Sequence, residues 1–242
     1  MSLDAAFFGA HPDDVELTSG GLAALLASHG HRVGVVDLTA GEAGTRGTPD
    51  ARASEAQAAA RMLGVESRTC LRLPDTGLHA HDRAQLSAVV AWLRQHRPRL
   101  VVAPDRHDPH PDHVEASRLV ARACVLAGLT KVDPDTDRHS VGRLLFATYR
   151  TLAPAPTIVV DITPVWERRI EALRAHETQV GGGPGLSTYL TSPDFLAEVE
   201  ARARVLGAQI GARYGEGFRH RGPLGVRDAR ALLPDGGQEA PG

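Results

Sequence analysis

Histidines and aspartates are concentrated in two short segments of this 242-residue chain, 11–14 (HPDD) and 105–113 (DRHDPHPDH). Imidazole and carboxylate groups are the ligands that a catalytic zinc ion takes from a protein, and such a site leaves a fourth position for water. Zinc lowers the pKa of that water to about 7, so hydroxide becomes available at neutral pH. The two segments therefore predict a mononuclear zinc site made by His11, Asp14 and one histidine of positions 107, 110 and 113.

Asp13 lies beside these ligands and is the natural general base, because a base must be within reach of the proton that it accepts. Pro12 and Pro111 fix φ and stiffen both segments. Either segment alone could be a solvated loop or a turn whose aspartate caps a helix, but their combination favours a hydrolase. The remaining histidines have no such neighbours and are expected to be surface or packing residues: His29, His31, His79, His81, His96, His139, His176 and His220.

Short apolar runs alternate along the chain with longer stretches of helical period, as in βαβ units. These are the elements that must position the two polar segments. Strands are predicted at 5–10, 32–38, 68–73, 99–104, 144–149 and 157–162. Helices are predicted at 17–29, 50–63, 82–96, 112–127, 164–179 and 193–213. The pattern predicts a Rossmann-like, doubly wound α/β fold with a mostly parallel sheet. We expect one domain over 1–228 with a smaller irregular C-terminal part, a mobile loop at 180–193 and a frayed tail at 229–242.

Each of the two polar segments directly follows a predicted strand, 5–10 or 99–104. In the usual doubly wound order 3-2-1-4 these two strands are neighbours, and the loops after them flank the topological switch point where ligands bind. The histidines and aspartates should then face one another across one crevice. A dinucleotide-binding domain is the main alternative fold, but its G-x-G-x-x-G turn is missing, and Asp37 imitates its ribose-binding acid only weakly.

The composition limits the partners of the protein. With 23% charged residues and a formal net charge of -2, the chain offers no strongly basic surface for nucleic acid. No run reaches the roughly 20 apolar residues of a membrane span, and the N-terminus lacks the basic start of a signal peptide. A cytoplasmic protein without a membrane partner is expected. Cys70 and Cys124 form no CxxC pair and are expected to be buried, reduced thiols.

The segments AHPDDVE (10–16) and HPDHVEA (110–116) resemble the two defining motifs of the PIG-L (LmbE-like) family of zinc-dependent N-acetylglucosamine deacetylases. The resemblance covers most of residues 5–224. Further stretches resemble the branch of the family that deacetylates N-acetylglucosaminyl-malate in bacillithiol biosynthesis: 37–56, 71–78, 159–163 and 210–218.

The resemblance implies an LmbE-like fold and one Zn²⁺ per chain. It implies that Asp13 is the general base that activates the water, and that His110 stabilises the oxyanion and assists departure of the amine. Asp112 would orient His110. The zinc ligands that the resemblance implies are His11, Asp14 and His113.

Arg52 matches an arginine that in this branch reaches the substrate, and a guanidinium suits the carboxylates of malate. The alternative is an exposed arginine at a helix start. Relatives commonly have arginine just before HPDH, where Pro109 stands here.

The expected binding partner is a small amino-sugar substrate, and the protein is expected to form a homo-oligomer. Two alternative functions stay open. One is a deacetylase of another N-acyl amino sugar, such as a chitooligosaccharide, inositol-linked glucosamine or antibiotic intermediate, and the other is a non-catalytic metal- or sugar-binding module.

Overall fold

The computed structural model describes residues 2–133, 135–149, 154–181 and 185–225. Its strands are β1 (Ala5–Gly9), β2 (Val33–Thr39), β3 (Ser67–Leu73), β4 (Leu100–Pro104), β5 (Arg143–Ala147), β6 (Ile158–Asp161) and β7 (Gly215–His220). Its α-helices are α1 (Asp14–Thr18), α2 (Gly20–Ser28), α3 (Pro49–Leu63), α4 (Arg83–His96), α5 (Pro111–Ala127), α6 (Trp166–Arg174) and α7 (Phe195–Ala208).

The strands form one seven-stranded sheet in the order β3-β2-β1-β4-β5-β7-β6. The first five strands of this order are parallel, whereas β7 runs antiparallel to both of its neighbours. β1 lies between β2 and β4, with Phe7 opposite Val35 on one side and Val102 on the other. The predicted fold class, a doubly wound and mostly parallel α/β sheet in one domain, is confirmed. The predicted 3-2-1-4 neighbourhood is confirmed too.

Both faces of the central strands are buried, as their nearly continuous apolar runs require. In β1 the side chains of Ala6 and Phe8 enter the core beneath α4 and α5, while those of Ala5 and Phe7 enter the core on the opposite face. This alternation is the two-residue period of a strand. A rigid centre therefore fixes the carboxyl ends of β1 and β4, where the two polar segments begin.

Several element boundaries differ from those predicted. The helix predicted at 17–29 begins at Asp14 and is divided at Ser19, whose φ of -146° is not helical. The helix predicted at 164–179 ends at Arg174, and that predicted at 193–213 ends at Ala208. β7 had not been predicted, because GEGFRH combines two glycines with charged residues and shows no strand-like alternation.

Parts of the predicted loop and tail can be compared with the structure. The segment 180–193 contains one 3-10 turn, Tyr189–Thr191, and its residues 182–184 lie outside the described residues. The predicted tail 229–242 also lies outside them. Cys70 was wrongly expected to be buried: it is exposed on β3, which is an edge strand, and Cys124 is partly buried. Among the described helices, none has the length and apolar character that crossing a membrane demands.

Candidate metal centre

Asp14 lies between two imidazoles at the carboxyl ends of β1 and β4. Its Oδ1 is 3.1 Å from His113 Nε2, and its Oδ2 is 3.6 Å from His11 Nδ1. Each of the three side chains offers a ligand atom within 4.8 Å of the other two. His11 follows β1, Asp14 begins α1 and His113 lies in the first turn of α5, so three separate elements converge here. Two imidazoles and one carboxylate are a donor set that suits Zn²⁺.

The ring nitrogens that face away from Asp14 are held by further carboxylates. His11 Nε2 lies 3.1 Å from Asp75 Oδ1 and 3.2 Å from Asp112 Oδ2. His113 Nδ1 lies 3.1 Å from Asp108 Oδ1. In metal sites the nitrogen that does not bind the metal commonly donates to a carboxylate, which fixes the ring and its tautomer. This arrangement leaves His11 Nδ1 and His113 Nε2 directed at the Asp14 carboxylate.

The pKa values of these groups show an excess of negative charge. Burial alone would lower the pKa of His11, but hydrogen bonds to Asp112, Asp14 and Asp75 raise it to about 12. Burial likewise opposes protonation of His113, yet the charge of Asp14 and the hydrogen bond to Asp108 raise its pKa to about 10. Protons thus neutralise the carboxylates where no other cation is bound. The same sites can exchange those protons for a divalent cation.

Asp13 is buried beside the ligands and has a backbone φ of 124°. This region of conformational space is unfavourable for a residue with a Cβ, and such strain is concentrated at functional sites. Burial raises the pKa of Asp13 to about 6, although the charge of Arg52 acts in the opposite direction. A carboxylate with a pKa nearer neutrality is a better match for accepting and returning a proton at physiological pH.

Arg52 is buried, with 5% of its surface exposed, so the alternative of an exposed helix-start arginine is wrong. Its Nη1 donates to the carbonyl of Gly41 at 2.8 Å, and its Nη2 donates to the carbonyl of Pro12 at 3.0 Å. Nη2 also lies 3.7 Å from Asp13 Oδ1. Gly41 has a φ of +67°, and a Cβ there would lie 1.9 Å from the guanidinium. Arg52 therefore stabilises the backbone conformation of the loop that contains Pro12 and Asp13.

His110 precedes α5 as its N-cap residue and is exposed at the mouth of the site. Its Nδ1 accepts a hydrogen bond from the backbone N–H of Asp112 at 3.2 Å, and its ring stacks on that of His113. Among the described residues no hydrogen bond joins the Asp112 carboxylate to the His110 ring, so that the orienting role of this carboxylate stays a prediction. The carboxylate accepts from the N–H of Thr76 and contacts His11, because the first turn of α5 directs it across the crevice.

The third histidine considered as a ligand, His107, lies away from this cluster, 2.8 Å from Asp105. A second group with metal-ligand geometry, formed by His11, His110 and Asp112, overlaps the first. It would need the His11 nitrogen that the carboxylates of Asp75 and Asp112 already hold. The group containing Asp14 and His113 is therefore the stronger candidate.

A cavity of about 490 Å³ opens above these residues. Its walls also include residues outside the two motifs, which come from α1, from the loops after β2, β3 and β5, and from positions 179, 189 and 190. Asp75 gave the clearest signal, since it directly follows Pro74 at the end of a predicted strand. Ala43, Gly44 and Thr76 lie in the stretches 37–56 and 71–78, which drew attention only through the family resemblance. The remaining wall residues gave no signal: Leu17, Tyr149, Gln179, Tyr189 and Leu190.

A second group of charges lies directly beneath the site. The Glu16 carboxylate is 2.6 Å from Arg68 Nη1, and the Arg68 guanidinium donates to both oxygens of Asp37 at 2.7 and 2.9 Å. His176, expected to be a surface or packing residue, is fully buried with Nε2 3.3 Å from Glu16. The hydrogen bonds from Arg68 account for the acidic residue at the end of β2, Asp37, without a bound dinucleotide.

The chain is similar in sequence to several known proteins. The family model described as GlcNAc-PI de-N-acetylase (PIG-L) matches residues 6–124. A diacetylchitobiose deacetylase of Thermococcus kodakarensis is 32% identical, and the match covers 86% of this chain and 79% of that protein. The 1D-myo-inositol 2-acetamido-2-deoxy-alpha-D-glucopyranoside deacetylase of Rhodococcus opacus is 28% identical, with 91% and 92% covered.

The fold is also shared with solved structures. The conserved protein TT1542 of Thermus thermophilus superposes with a TM-score of 0.83 and 33% identity, covering 98% of this chain and 100% of that one. The match thus includes the elements after residue 124, where the family model ends.

Proposed function

We propose, given that the chain belongs to the PIG-L family of de-N-acetylases, that it is a zinc-dependent hydrolase of the N-acetyl group of an N-acetylglucosamine conjugate. The observation that carries this proposal is the convergence of His11, Asp14 and His113 on one point of the cavity, with the buried Asp13 beside them. The relatives named above supply the substrate class, since they deacetylate diacetylchitobiose and an inositol-linked N-acetylglucosamine.

His11, Asp14 and His113 would hold one zinc ion per chain. The residues fit this ion because each imidazole has one nitrogen directed at Asp14 and the other held by a carboxylate. When bound, zinc would supply Lewis acidity toward the acetyl carbonyl and favour ionisation of water. Every further step is the work of side chains in the cavity.

Asp13 accepts the proton that water loses when its oxygen attacks the acetyl carbon. Its burial favours this role, because a carboxylate with few solvent contacts has a raised pKa and holds the proton until it can be passed on. Arg52 keeps the Asp13 loop in place through the carbonyl of Pro12. The tetrahedral adduct then collapses as its C–N bond breaks, and acetate and the free amine form once the nitrogen has gained a proton.

His110 is the group that meets the oxyanion and the departing amine. Partial burial of the ring and the charge of the neighbouring His113 lower the pKa of His110, which favours the neutral ring. Because its Nδ1 accepts the N–H of Asp112, the neutral ring carries its hydrogen on Nε2. That N–H is a preorganised donor for developing negative charge. Asp112 serves this step through its backbone, while its carboxylate steadies His11.

Within this substrate class, N-acetylglucosaminyl-malate in bacillithiol biosynthesis is the conjugate that the sequence resemblance at 37–56 and 71–78 favours. Arg52, the residue assigned to the malate carboxylates, lines the cavity but directs its hydrogen bonds at the backbone. Deacetylation of another N-acyl amino sugar, such as a chitooligosaccharide or inositol-linked glucosamine, is the second candidate, and the named relatives support it. A cytoplasmic location and homo-oligomerisation stay predictions.

The test is release of acetate from a panel of N-acetylglucosaminyl-malate, diacetylchitobiose and inositol-linked N-acetylglucosamine. The zinc-loaded enzyme should cleave at least one conjugate, a chelator should abolish the activity, and added zinc should restore it. The preferred conjugate identifies the substrate branch. If the protein binds zinc stoichiometrically yet releases acetate from none of the three, the non-catalytic binding module replaces the hydrolase.

A further inference from the structure

A second cavity, of about 340 Å³, lies along the loop 105–110, which joins β4 to α5 and also borders the reaction cavity. It is bordered by Phe146 on β5, by the end of β7 and by the first residues after β4. Its charged and titratable lining residues are Asp105, Arg106, His107, Arg219, His220 and Arg221. Three arginines and one aspartate make this lining strongly cationic.

The single carboxylate of this lining is already neutralised. Asp105 is buried, forms an ion pair with Arg219, and its other oxygen accepts from His107 at 2.8 Å. Arg219 also donates to the carbonyl of Pro154 and contacts His107. These contacts hold the side chains of Asp105 and Arg219 in place, and both oxygens of the Asp105 carboxylate have a positively charged or hydrogen-bonding partner.

The other two arginines of the lining, Arg106 and Arg221, are not paired with a described carboxylate. No carboxylate of the described residues lies within ion-pair distance of Arg106 or Arg221. The Arg221 guanidinium lies over the Phe146 ring, 5.1 Å from its centroid, a contact that orients the group without neutralising it. Guanidinium groups present a planar fork of donors that matches the oxygens of phosphate and carboxylate. A concave, cationic wall also concentrates anions.

We propose that this cavity is a binding site for an oxyanion of the phosphate or carboxylate type, held by Arg106 and Arg221. The oxyanion is either a free inorganic ion or the acidic group of a sugar conjugate. The second source is geometrically reasonable because one loop forms a wall of both cavities. Its residues 105–107 line the cationic cavity, and its residues 108–110 line the reaction cavity.

Calorimetric titration with inorganic phosphate at constant ionic strength tests the site without any turnover, so its outcome is independent of the proposed deacetylase activity. The wild type is compared with the double variant Arg106→Ala/Arg221→Ala. A control, Arg61→Ala/Arg83→Ala, loses the same charge from exposed positions of α3 and α4 that do not line the cavity.

The wild type and the control should bind phosphate alike, and the double variant should bind it at least tenfold more weakly. Equal affinity in all three proteins would assign the binding to the metal centre or to general charge and would overturn the proposal, as would absence of binding to the wild type.

A second measurement identifies the source of the oxyanion once phosphate binding has been lost in the double variant. If the acidic group of a conjugate occupies the cavity, the double variant raises KM for N-acetylglucosaminyl-malate and leaves KM for diacetylchitobiose unchanged. If a free anion occupies it, both KM values are unchanged. Unfolding curves that coincide with that of the wild type would show that the fold is intact.

Discussion

Two groups of buried charges both include residues of the segment 11–16, and they differ in the side chains that neutralise their carboxylates. In the closed cluster, Glu16 and Asp37 share the guanidinium of Arg68, and the Glu16 and Arg68 side chains have no exposed surface. The open cluster is made of His11, Asp14 and His113, with Asp13 beside them, below the cavity.

The difference lies in the partner that each carboxylate receives. Arginine is permanently charged, so the carboxylates that it binds are neutralised within the protein and contribute to the fold. Imidazoles exchange their proton for a metal, and the aspartates around them outnumber them: Asp13, Asp14, Asp75, Asp108 and Asp112. Asp13 also has an arginine nearby, but the hydrogen bonds of Arg52 go to the backbone carbonyls of Gly41 and Pro12, and its guanidinium lies 3.7 Å from the Asp13 carboxylate. Carboxylates that face a cavity and are paired with imidazoles are therefore the arrangement to associate with chemistry, and carboxylates that accept hydrogen bonds from a buried arginine are the arrangement to associate with stability.

The largest expected effect is that of His113→Ala in the open cluster. This variant should lose its stoichiometric zinc and lose more activity than removal of a general base, because both the metal and its chemistry are gone. Metal analysis of the dialysed protein measures it. His110→Ala is the matched control: it should keep the metal, since its ring is not in the group formed around Asp14. Full zinc occupancy in His113→Ala would refute the ligand assignment.

The next effect is that of Asp13→Asn, which removes the proton acceptor and keeps the shape of the side chain. Turnover should fall by about 10²–10⁴, the usual contribution of a general base, while the bound zinc and the unfolding curve stay as in the wild type. Near-normal turnover would contradict the role of Asp13.

The pH profile gives a second measure of Asp13. Burial raises its pKa to about 6, and the protonated form cannot accept a proton. The wild-type rate should therefore fall on the acid side, and a bound cation places this limb at or below that value. In Asp13→Asn the limb should disappear from the residual activity. An unchanged acid limb in the variant would show that another group titrates.

The sequence allowed the open cluster to be predicted better than the closed one. Strands β1 and β4 are apolar runs with both faces buried, so their adjacency, and with it the meeting of the two motifs, follows from the usual strand order. The fold class could be predicted for the same reason. Local periodicity and strand order need no knowledge of where individual loops turn.

The partners of the motif residues could not be predicted in this way. Arg52 turns inward because Gly41 adopts a left-handed conformation that admits its guanidinium, and nothing in the neighbourhood of Arg52 in the sequence encodes that. His176 is the packing residue that one of the two expectations allowed, but its partner could not be predicted because Glu16 is 160 positions away, in α1. Pairings of this kind depend on tertiary packing, which overrides local preference.

The closed cluster should respond to Arg68→Met in the opposite way to the open one. Removing the guanidinium leaves Glu16 and Asp37 buried without compensation, and breaking such a pair costs about 3–5 kcal/mol. Urea unfolding measures this loss, and the activity per folded molecule should stay close to that of the wild type. Arg32→Met, which breaks the exposed pair with Glu66, should cost far less than Arg68→Met, because solvent screens that pair. Equal costs for the two variants would erase the distinction between the clusters.

The smallest effect is expected from Asp75→Asn, at the boundary of the open cluster. Asp75 holds His11 Nε2 and also accepts from the N–H of Ala43, so its loss loosens a metal ligand without removing it. Loss of a carboxylate of this kind lowers metal affinity by about 10–100-fold. Competition with a chromogenic chelator measures the affinity, and Asp50→Asn, an exposed change at the start of α3, should leave it unaltered.

Because the Asp112 carboxylate contacts the same nitrogen, Asp75→Asn should reach only part of that range. The double variant Asp75→Asn/Asp112→Asn should lower the zinc affinity by more than the product of the two single effects, because in each single variant the remaining carboxylate still holds His11 Nε2. Strictly multiplicative effects would mean that the two aspartates act independently, and the excess of carboxylates in the open cluster would then have an origin other than support of His11.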